Sequence, residues 1–200
     1  MNTPFKYGTL ATKENFVDRV EDRAQLKNFL FFHVNVMLIS PRRWGKSSLV
    51  KAATEELQQE DKTVRICHID AFSIASEAEF YRTFASQVIA CSSTKMERRI
   101  QDAKKFLTGV MPQVVIKDDV TNFMAFDVKF IPQERDKMDI LQLPETIAKE
   151  KGIHIIICID EFQQLANLPE YKSMEGKMRS VWQQQESVTY CLYGSKRHMM

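Results

Sequence analysis

The chain has 200 residues, of which 44% are apolar and 27% are charged, and its formal net charge at pH 7 is +2. This length suits one α/β domain with a buried core, and the composition excludes a disordered or fibrous protein. The small net charge does not by itself predict a surface for nucleic acid or for an anionic membrane. The longest apolar stretch, residues 153–159, is far shorter than the roughly 20 residues that cross a bilayer, and the first residues lack a signal pattern. We therefore expect a cytoplasmic protein without a membrane partner.

The start of the chain predicts an irregular segment followed by a helix, a strand and a second helix. We expect residues 1–17 to be irregular and the first helix to begin near Asp18. Apolar residues recur in this helix roughly as one face, at Val20, Ala24, Leu26, Leu30 and Phe31. The run VNVMLIS then predicts a strand covered on both faces, and the residues after PRRWGKS predict a helix.

The middle of the chain predicts a second strand, two helices and a hairpin. VRICHID is strand-like, and Ser76 with Glu79 three residues later forms a capping-box pattern that opens a helix running to about Cys91. MERRIQDAKKFLTGV is helix-like, whereas QVVIKDD and NFMAFDVKF predict paired strands. We therefore expect an inserted hairpin at residues 112–131.

The last third of the chain returns to alternating helices and strands. LPETIAKEKG predicts a helix that ends at Gly152, because glycine suits a left-handed C-cap. IHIIICID is the most apolar strand candidate, and SVTYCLYGS is the last one. Strands that alternate with helices imply βαβ crossovers, so we predict an α/β fold with a mostly parallel sheet in a single domain over residues 1–200.

A phosphate-binding loop is predicted between the first strand and the second helix. SPRRWGKS fits the pattern G-x-x-x-x-G-K-[ST] except that Ser40 replaces the first glycine. Such a loop turns successive N–H groups and a helix N-terminus toward phosphate oxygens, and Gly45 allows a close backbone approach. Lys46 would contact the β- and γ-phosphates, and the Ser47 hydroxyl would ligate Mg²⁺. The candidate nucleotide-binding residues are Ser40, Pro41, Arg42, Arg43, Trp44, Gly45, Lys46, Ser47 and Ser48.

Other interpretations of this segment remain. GKSS alone could be a helix start with a serine cap and a solvated lysine. We expect Arg42 and Arg43 to face solvent or an intramolecular ion pair, because the backbone and Lys46 already supply phosphate contacts. We expect Trp44 to be a packing residue rather than a platform for adenine.

An acidic pair follows the most apolar strand, in IIICIDEF. A strand parallel to the one before the loop ends at the same edge of the sheet, where open α/β sheets bind ligands. Asp160 would then orient Mg²⁺, and Glu161 would polarise the water that attacks the γ-phosphate. The alternative is that Asp160 caps the next helix and Glu161 is an exposed acid in its first turn. The adjacent glutamate favours a hydrolysing ATPase over a small-molecule kinase.

Taken together, these segments resemble the AAA+-related archaeal and bacterial P-loop ATPases, in the group that also contains the STAND signalling ATPases. The resemblance is carried by FVDR, SPRRWGKSSLV, VRICHIDAFS, ICIDEFQQL and YGSKRHMM. It implies a three-layer P-loop fold with strand order 5-1-4-3-2. This chain would stop after the fourth strand, so that the fifth strand and the helical lid are missing.

The resemblance also implies roles for three further residues. Phe16 and Val17 match a box that packs near the adenine, although Asp18 replaces the usual glycine there. Ser195 matches the polar sensor of the γ-phosphate. We therefore predict an ATP-hydrolysing switch that uses ATP and Mg²⁺, with Glu161, Lys46 and Ser195 in catalysis. The alternatives are an ATP-binding module without turnover and a DNA-associated ATPase, and a protein partner or a homo-oligomer is also possible.

Overall fold

The computed structural model describes residues 19–93, 95–107, 113–118, 124–129 and 132–195. Six helices and six strands lie in these residues, together with two 3-10 turns, Ala71–Ser73 and Phe162–Asn167. The helices are α1 Val20–Phe31, α2 Lys46–Glu60, α3 Glu77–Ser92, α4 Met96–Phe106, α5 Glu134–Lys151 and α6 Tyr171–Trp182. The strands are β1 Val36–Ser40, β2 Val64–Asp70, β3 Gln113–Asp118, β4 Met124–Lys129, β5 His154–Asp160 and β6 Val188–Ser195. None of the described helices is long and apolar enough to cross a membrane.

The main sheet has four parallel strands in the order β1-β6-β5-β2. Without the hairpin, these are the first, fourth, third and second strands along the chain, so the predicted order 1-4-3-2 is confirmed. Because all four strands are parallel, their carboxyl ends share one edge of the sheet. At this edge Ser40 lies beside Ser195 in the register, and Asp70 lies beside Asp160.

Helices cover both faces of this sheet and make the fold three-layered. On one face, α1 and α2 pack with residues such as Leu30 and Leu49 against the side chains of Ile156 and Cys191. On the other face, α3, α5 and α6 pack against the alternate residues of the strands, such as Ile157. The first six residues of β5 are buried, as the long apolar run predicts for a central strand covered on both sides.

The predicted hairpin is present as a separate two-stranded sheet. β3 and β4 pair antiparallel, with Gln113 opposite Lys129 and Asp118 opposite Met124. Of the capping box predicted at the start of α3, only the serine half is present, because the Glu79 carboxylate accepts from the backbone N of Ala75 at 2.8 Å and not from that of Ser76. Ser76 Oγ accepts a hydrogen bond from the Glu79 backbone N at 3.2 Å.

Two helices differ from the prediction. α5 begins at Glu134, well before LPETIAKEKG, and Pro144 lies inside it, although Gly152 ends it at φ 61° as predicted. In α1 only Leu26 and Leu30 are buried, while the side chains of Val20 and Phe31 are exposed. The predicted apolar face of α1 is therefore wrong at Val20, Ala24 and Phe31 and holds only at Leu26 and Leu30.

Strand β1 forms one side of the sheet. It pairs with β6, and no strand in the described ranges pairs with its other side. Met37 and Ile39 point to the face that α3, α5 and α6 cover elsewhere, yet 55% of Met37 and 46% of Ile39 are exposed. Within the described residues, β1 is therefore an edge strand with one incompletely covered face.

Candidate nucleotide site

The loop from Ser40 to Lys46 has the backbone of an anion-binding turn. Arg43 and Gly45 adopt left-handed conformations, with φ 66° and 70°, and Gly45 is the N-cap of α2. Among the described residues, no side-chain cap bond is made at the first turn of α2. Its backbone N–H groups are therefore available to an anion, which the partial positive charge of the helix N-terminus also attracts.

Lys46 directs its amine back into this loop. Its Nζ atom donates hydrogen bonds to the backbone O of Ser40 at 3.1 Å and of Pro41 at 3.0 Å. Only 6% of the residue is exposed, and no carboxylate in the described part of the chain forms an ion pair with it. A nearly buried ammonium held only by neutral carbonyl groups is suited to receive a phosphate oxygen.

The phosphate loop and the acidic strand meet through one hydrogen bond. Ser47 Oγ donates to Asp160 Oδ2 at 2.7 Å, although these residues are separated by 113 positions. The other oxygen, Oδ1, accepts from the Glu161 backbone N at 2.8 Å. The structure therefore places the two predicted metal ligands, Ser47 and Asp160, in direct contact at the carboxyl edge of the sheet.

The electrostatics around Asp160 suit a divalent cation. Burial raises the pKa of the Asp160 carboxyl above its usual value, and the negative charges of Glu161 and Asp70 raise it further. The hydrogen bonds from Ser47 and from the Glu161 backbone act in the opposite direction without cancelling this rise. A hydroxyl and carboxylates are the oxygen ligands that Mg²⁺ prefers, so the residues fit the ion that the sequence predicts.

Glu161 and Ser195 are linked by a residue that the sequence analysis did not single out. Glu161 has a left-handed backbone, with φ 48° and ψ 38°, which costs a non-glycine residue on the order of 1–2 kcal/mol. Gln163 donates from its Nε2 atom to Glu161 Oε2, and the same atom lies 3.3 Å from Ser195 Oγ. The only signal for this link in the sequence was the glutamine two residues after Glu161, in DEFQ. Its contact with Ser195 becomes visible only when the position of β6 is known.

The remaining predicted residues divide into three groups. Ser40 Oγ is buried and has no hydrogen-bond partner among the described residues, and Ser48 is also buried. Pro41, Arg42 and Arg43 are exposed, as expected for the two arginines. Phe16 and Val17 lie outside the described residues.

Trp44 is not the packing residue that the sequence predicted. It is 58% exposed, and the Arg19 guanidinium lies 5.8 Å from the centre of its ring. The residues before and after it, Arg43 and Gly45, both have left-handed backbones. An exposed indole at this position is a surface feature of the phosphate loop.

Comparisons with known proteins agree on the fold. No protein-family model matches the sequence, and no curated protein matches it. Among solved structures, a Walker-type ATPase of Pyrococcus abyssi matches with a TM-score of 0.59 and 18% identity, over 96% of this chain and 49% of its own. The Orc1 protein of Aeropyrum pernix, in complex with DNA, matches with a TM-score of 0.53 and 12% identity, over 88% of this chain and 38% of its own.

These similarities define the class of fold. The chain shares the fold of these ATPase structures, and its parallel sheet carries the predicted phosphate loop at its carboxyl edge. It spans about half or less of the length of the structures it matches.

Proposed function

We propose that this chain binds ATP with Mg²⁺ and hydrolyses it, and that it acts as a nucleotide-dependent switch in the cytoplasm. The observation that carries the proposal is the 2.7 Å hydrogen bond between Ser47 and Asp160. It joins the phosphate loop to the acidic strand, beside the Lys46 amine held in that loop. The P-loop ATPase fold supports the same proposal.

Binding uses the loop and the start of α2. The backbone N–H groups at the start of α2 donate to phosphate oxygens, and Lys46 exchanges its bonds to the Ser40 and Pro41 carbonyls for bonds to the β- and γ-phosphates. Ser47 and Asp160 would hold the metal ion. When bound there, Mg²⁺ would neutralise negative charge on the phosphate oxygens.

Hydrolysis uses residues at the ends of the two central strands, β5 and β6. Glu161 accepts a proton from a water molecule as the water oxygen bonds to the γ-phosphorus, and the bond from that phosphorus to the oxygen bridging to ADP breaks. The products are ADP and inorganic phosphate. The hydroxyl of Ser195, at the end of β6, donates a hydrogen bond to the γ-phosphate. The site therefore responds to the loss of the γ-phosphate.

An ATP-binding module without turnover is the second candidate function. It is favoured by the contact between Gln163 and the Glu161 carboxylate, which occupies one oxygen of the proposed base. The two candidates differ in one quantity, the rate of phosphate release at saturating ATP with Mg²⁺. Measurable phosphate release that requires Glu161 would exclude the second candidate.

Lys46→Ala tests the binding site itself. A charge-assisted hydrogen bond contributes about 1.5–3 kcal/mol, so we expect the affinity for ATP with Mg²⁺ to fall about 10- to 100-fold. The matched control is Lys51→Ala, because Lys51 lies on the same helix with an exposed side chain. Titration calorimetry should give the wild-type affinity for this control. Equal affinities for wild type and Lys46→Ala would contradict the proposed site.

A further inference from the structure

Gln163 has a position that packing alone does not explain. Its side chain is 3% exposed, and its backbone belongs to the 3-10 turn Phe162–Asn167 that follows Glu161. Phe162 and Leu165 anchor this turn in the hydrophobic core. The amide of Gln163 is therefore carried by a fixed backbone segment and lies between the ends of β5 and β6.

The contacts of Gln163 fix the orientation of its amide. An ionised carboxylate only accepts hydrogen bonds, so the group facing Glu161 Oε2 must be the amide nitrogen rather than the oxygen. That nitrogen carries two hydrogens. Ser195 Oγ, at 3.3 Å, can accept the second one. One nitrogen atom thus bridges the two residues.

The other end of the amide carries a free-energy cost. The Oε1 atom of Gln163 is buried and has no donor in the part of the chain that the structure describes. A buried acceptor without a donor costs about 1–3 kcal/mol, and a methionine would fill a similar volume without that cost. The contacts of the nitrogen, and not the packing of the side chain, account for a glutamine at this position.

We propose that Gln163 is a positioning residue that couples Ser195 to Glu161, and this inference rests on the ATPase function proposed above. By donating to Ser195 Oγ, Gln163 leaves the serine hydrogen free to bind a γ-phosphate oxygen. By donating to one oxygen of Glu161, it holds the carboxylate in place and leaves the second oxygen for the attacking water. The presence of the γ-phosphate is thereby linked to the placement of the base.

The coupling is tested by removing the amide without changing the volume. In Gln163→Met we expect kcat for ATP hydrolysis to fall about 10- to 100-fold, because a misplaced catalytic group loses rate on this scale. The dissociation constant for ATP with Mg²⁺ should change less than about 2-fold, because Gln163 does not belong to the phosphate loop. The matched control is Gln164→Met, the next residue on the same turn, and it should keep the wild-type kcat.

A double-mutant cycle separates coupling from a general structural effect. If Gln163 acts through Ser195, Gln163→Met combined with Ser195→Ala should reduce kcat no more than the more damaging single substitution. Fully additive losses would overturn the proposal. Gln163→Asn keeps an amide one methylene shorter, so its kcat should lie between those of wild type and Gln163→Met. It also provides the test if Gln163→Met does not fold.

The outcome for the wild type distinguishes the two levels of the proposal. If wild type releases phosphate, Glu161→Gln abolishes release and Gln163→Met behaves like wild type, then the coupling is wrong and the ATPase function stands. If wild type binds ATP without releasing phosphate, the hydrolytic function fails, and the coupling fails with it because there is no base to position.

Discussion

The two ends of the parallel sheet differ in how completely their polar groups are satisfied. At the amino end, the Glu145 carboxylate accepts hydrogen bonds from the backbone N of Glu186 at 3.2 Å and of Ser187 at 2.9 Å. Next to them, the His154 ring makes a 2.8 Å hydrogen bond with the Thr189 hydroxyl. Each of these buried groups has a partner, which is the usual condition of a protein interior.

The carboxyl end has unsatisfied polar groups instead, whereas left-handed non-glycine residues lie at both ends, His33 before β1 and Glu161 after β5. Glu161 has a left-handed backbone, Ser40 Oγ and Gln163 Oε1 are buried without partners among the described residues, and burial raises the pKa of Asp160. Costs of this kind persist where a ligand uses the groups. This difference supports the proposal that the carboxyl end binds a ligand while the amino end stabilises the fold. Substitutions at the two ends should therefore change different measurements.

The largest expected effect is on catalysis, for Glu161→Gln at the carboxyl end. Removing a general base lowers the rate of phosphate release by about 10²- to 10⁴-fold. The free energy of unfolding should change by less than about 0.5 kcal/mol, because the amide fills the same volume. Steady-state phosphate release and urea unfolding measure the two quantities. Glu170→Gln, in the exposed turn before α6, is the control.

The next effect is on stability, for Glu145→Ala at the amino end. Burial by itself raises the pKa of Glu145, but the hydrogen bonds from Lys149, Ser187 and Glu186 outweigh it and keep this pKa below its usual value. The substitution leaves two backbone donors without an acceptor, so we expect the free energy of unfolding to fall by about 2–4 kcal/mol.

Urea unfolding measures this loss, and Glu150→Ala is the control because the Glu150 side chain is 45% exposed. Phosphate release per folded molecule should equal that of wild type in both variants. A loss of turnover in folded Glu145→Ala would break the division between the two ends of the sheet.

A pH dependence of stability should also originate at the amino end. Burial and, to a smaller extent, the neighbouring His33 lower the pKa of His154 to about 4, although Asp61 acts in the opposite direction. The unfolded chain, with a histidine pKa near its ordinary value of about 6.5, binds this proton first as the pH falls. The contribution of His154 to the free energy of unfolding is therefore constant above about pH 6.5, and it decreases as the pH drops toward 4.

Between pH 7 and pH 5 we expect this histidine to cost about 1–2 kcal/mol of stability. His154→Gln keeps a polar group near Thr189 and removes the titration. The difference in the free energy of unfolding between wild type and variant should therefore be smaller at pH 5 than at pH 7 by that amount. Urea unfolding at the two pH values measures it. Parallel pH profiles for both proteins would show that His154 is not the cause.

The smallest expected effect is a gain of stability at the carboxyl end, for Asp160→Asn. The substitution removes a partly buried negative charge that lies near Glu161 and Asp70. Without nucleotide, we expect the melting temperature to rise slightly, by an amount equivalent to about 1 kcal/mol or less because solvent screens the charges. ATP with Mg²⁺ should then stabilise wild type more than the variant, which thermal unfolding with and without ligand can test. A variant less stable than wild type in both conditions would contradict this account.

The sequence predicted the parallel sheet, and it identified both halves of the candidate site because each half is a contiguous pattern. A phosphate loop follows its strand directly, and an acidic pair follows the most apolar strand. Each pattern therefore lies, together with the strand that precedes it, within about a dozen residues. The contact between Ser47 and Asp160 then follows from the parallel arrangement of β1 and β5.

The features that the sequence did not predict depend on contacts between distant segments. The link from Gln163 to Ser195 spans 32 positions, and the acceptor role of Glu145 requires the backbone before β6. The exposure of Trp44 and of Val20 depends on how much of each side chain the neighbouring elements cover. Periodicity identifies an apolar face but not how much of it a neighbour covers.

The position of Lys46 has a kinetic consequence. Its ammonium already occupies the curl of the loop through two carbonyl contacts, and the neighbouring left-handed residues already give the loop its shape. If the loop binds ATP as proposed, an incoming triphosphate would exchange hydrogen-bond partners with a preformed loop and would not have to fold it. The association rate constant should therefore be inversely proportional to solvent viscosity. The binding kinetics should show no slow isomerisation phase.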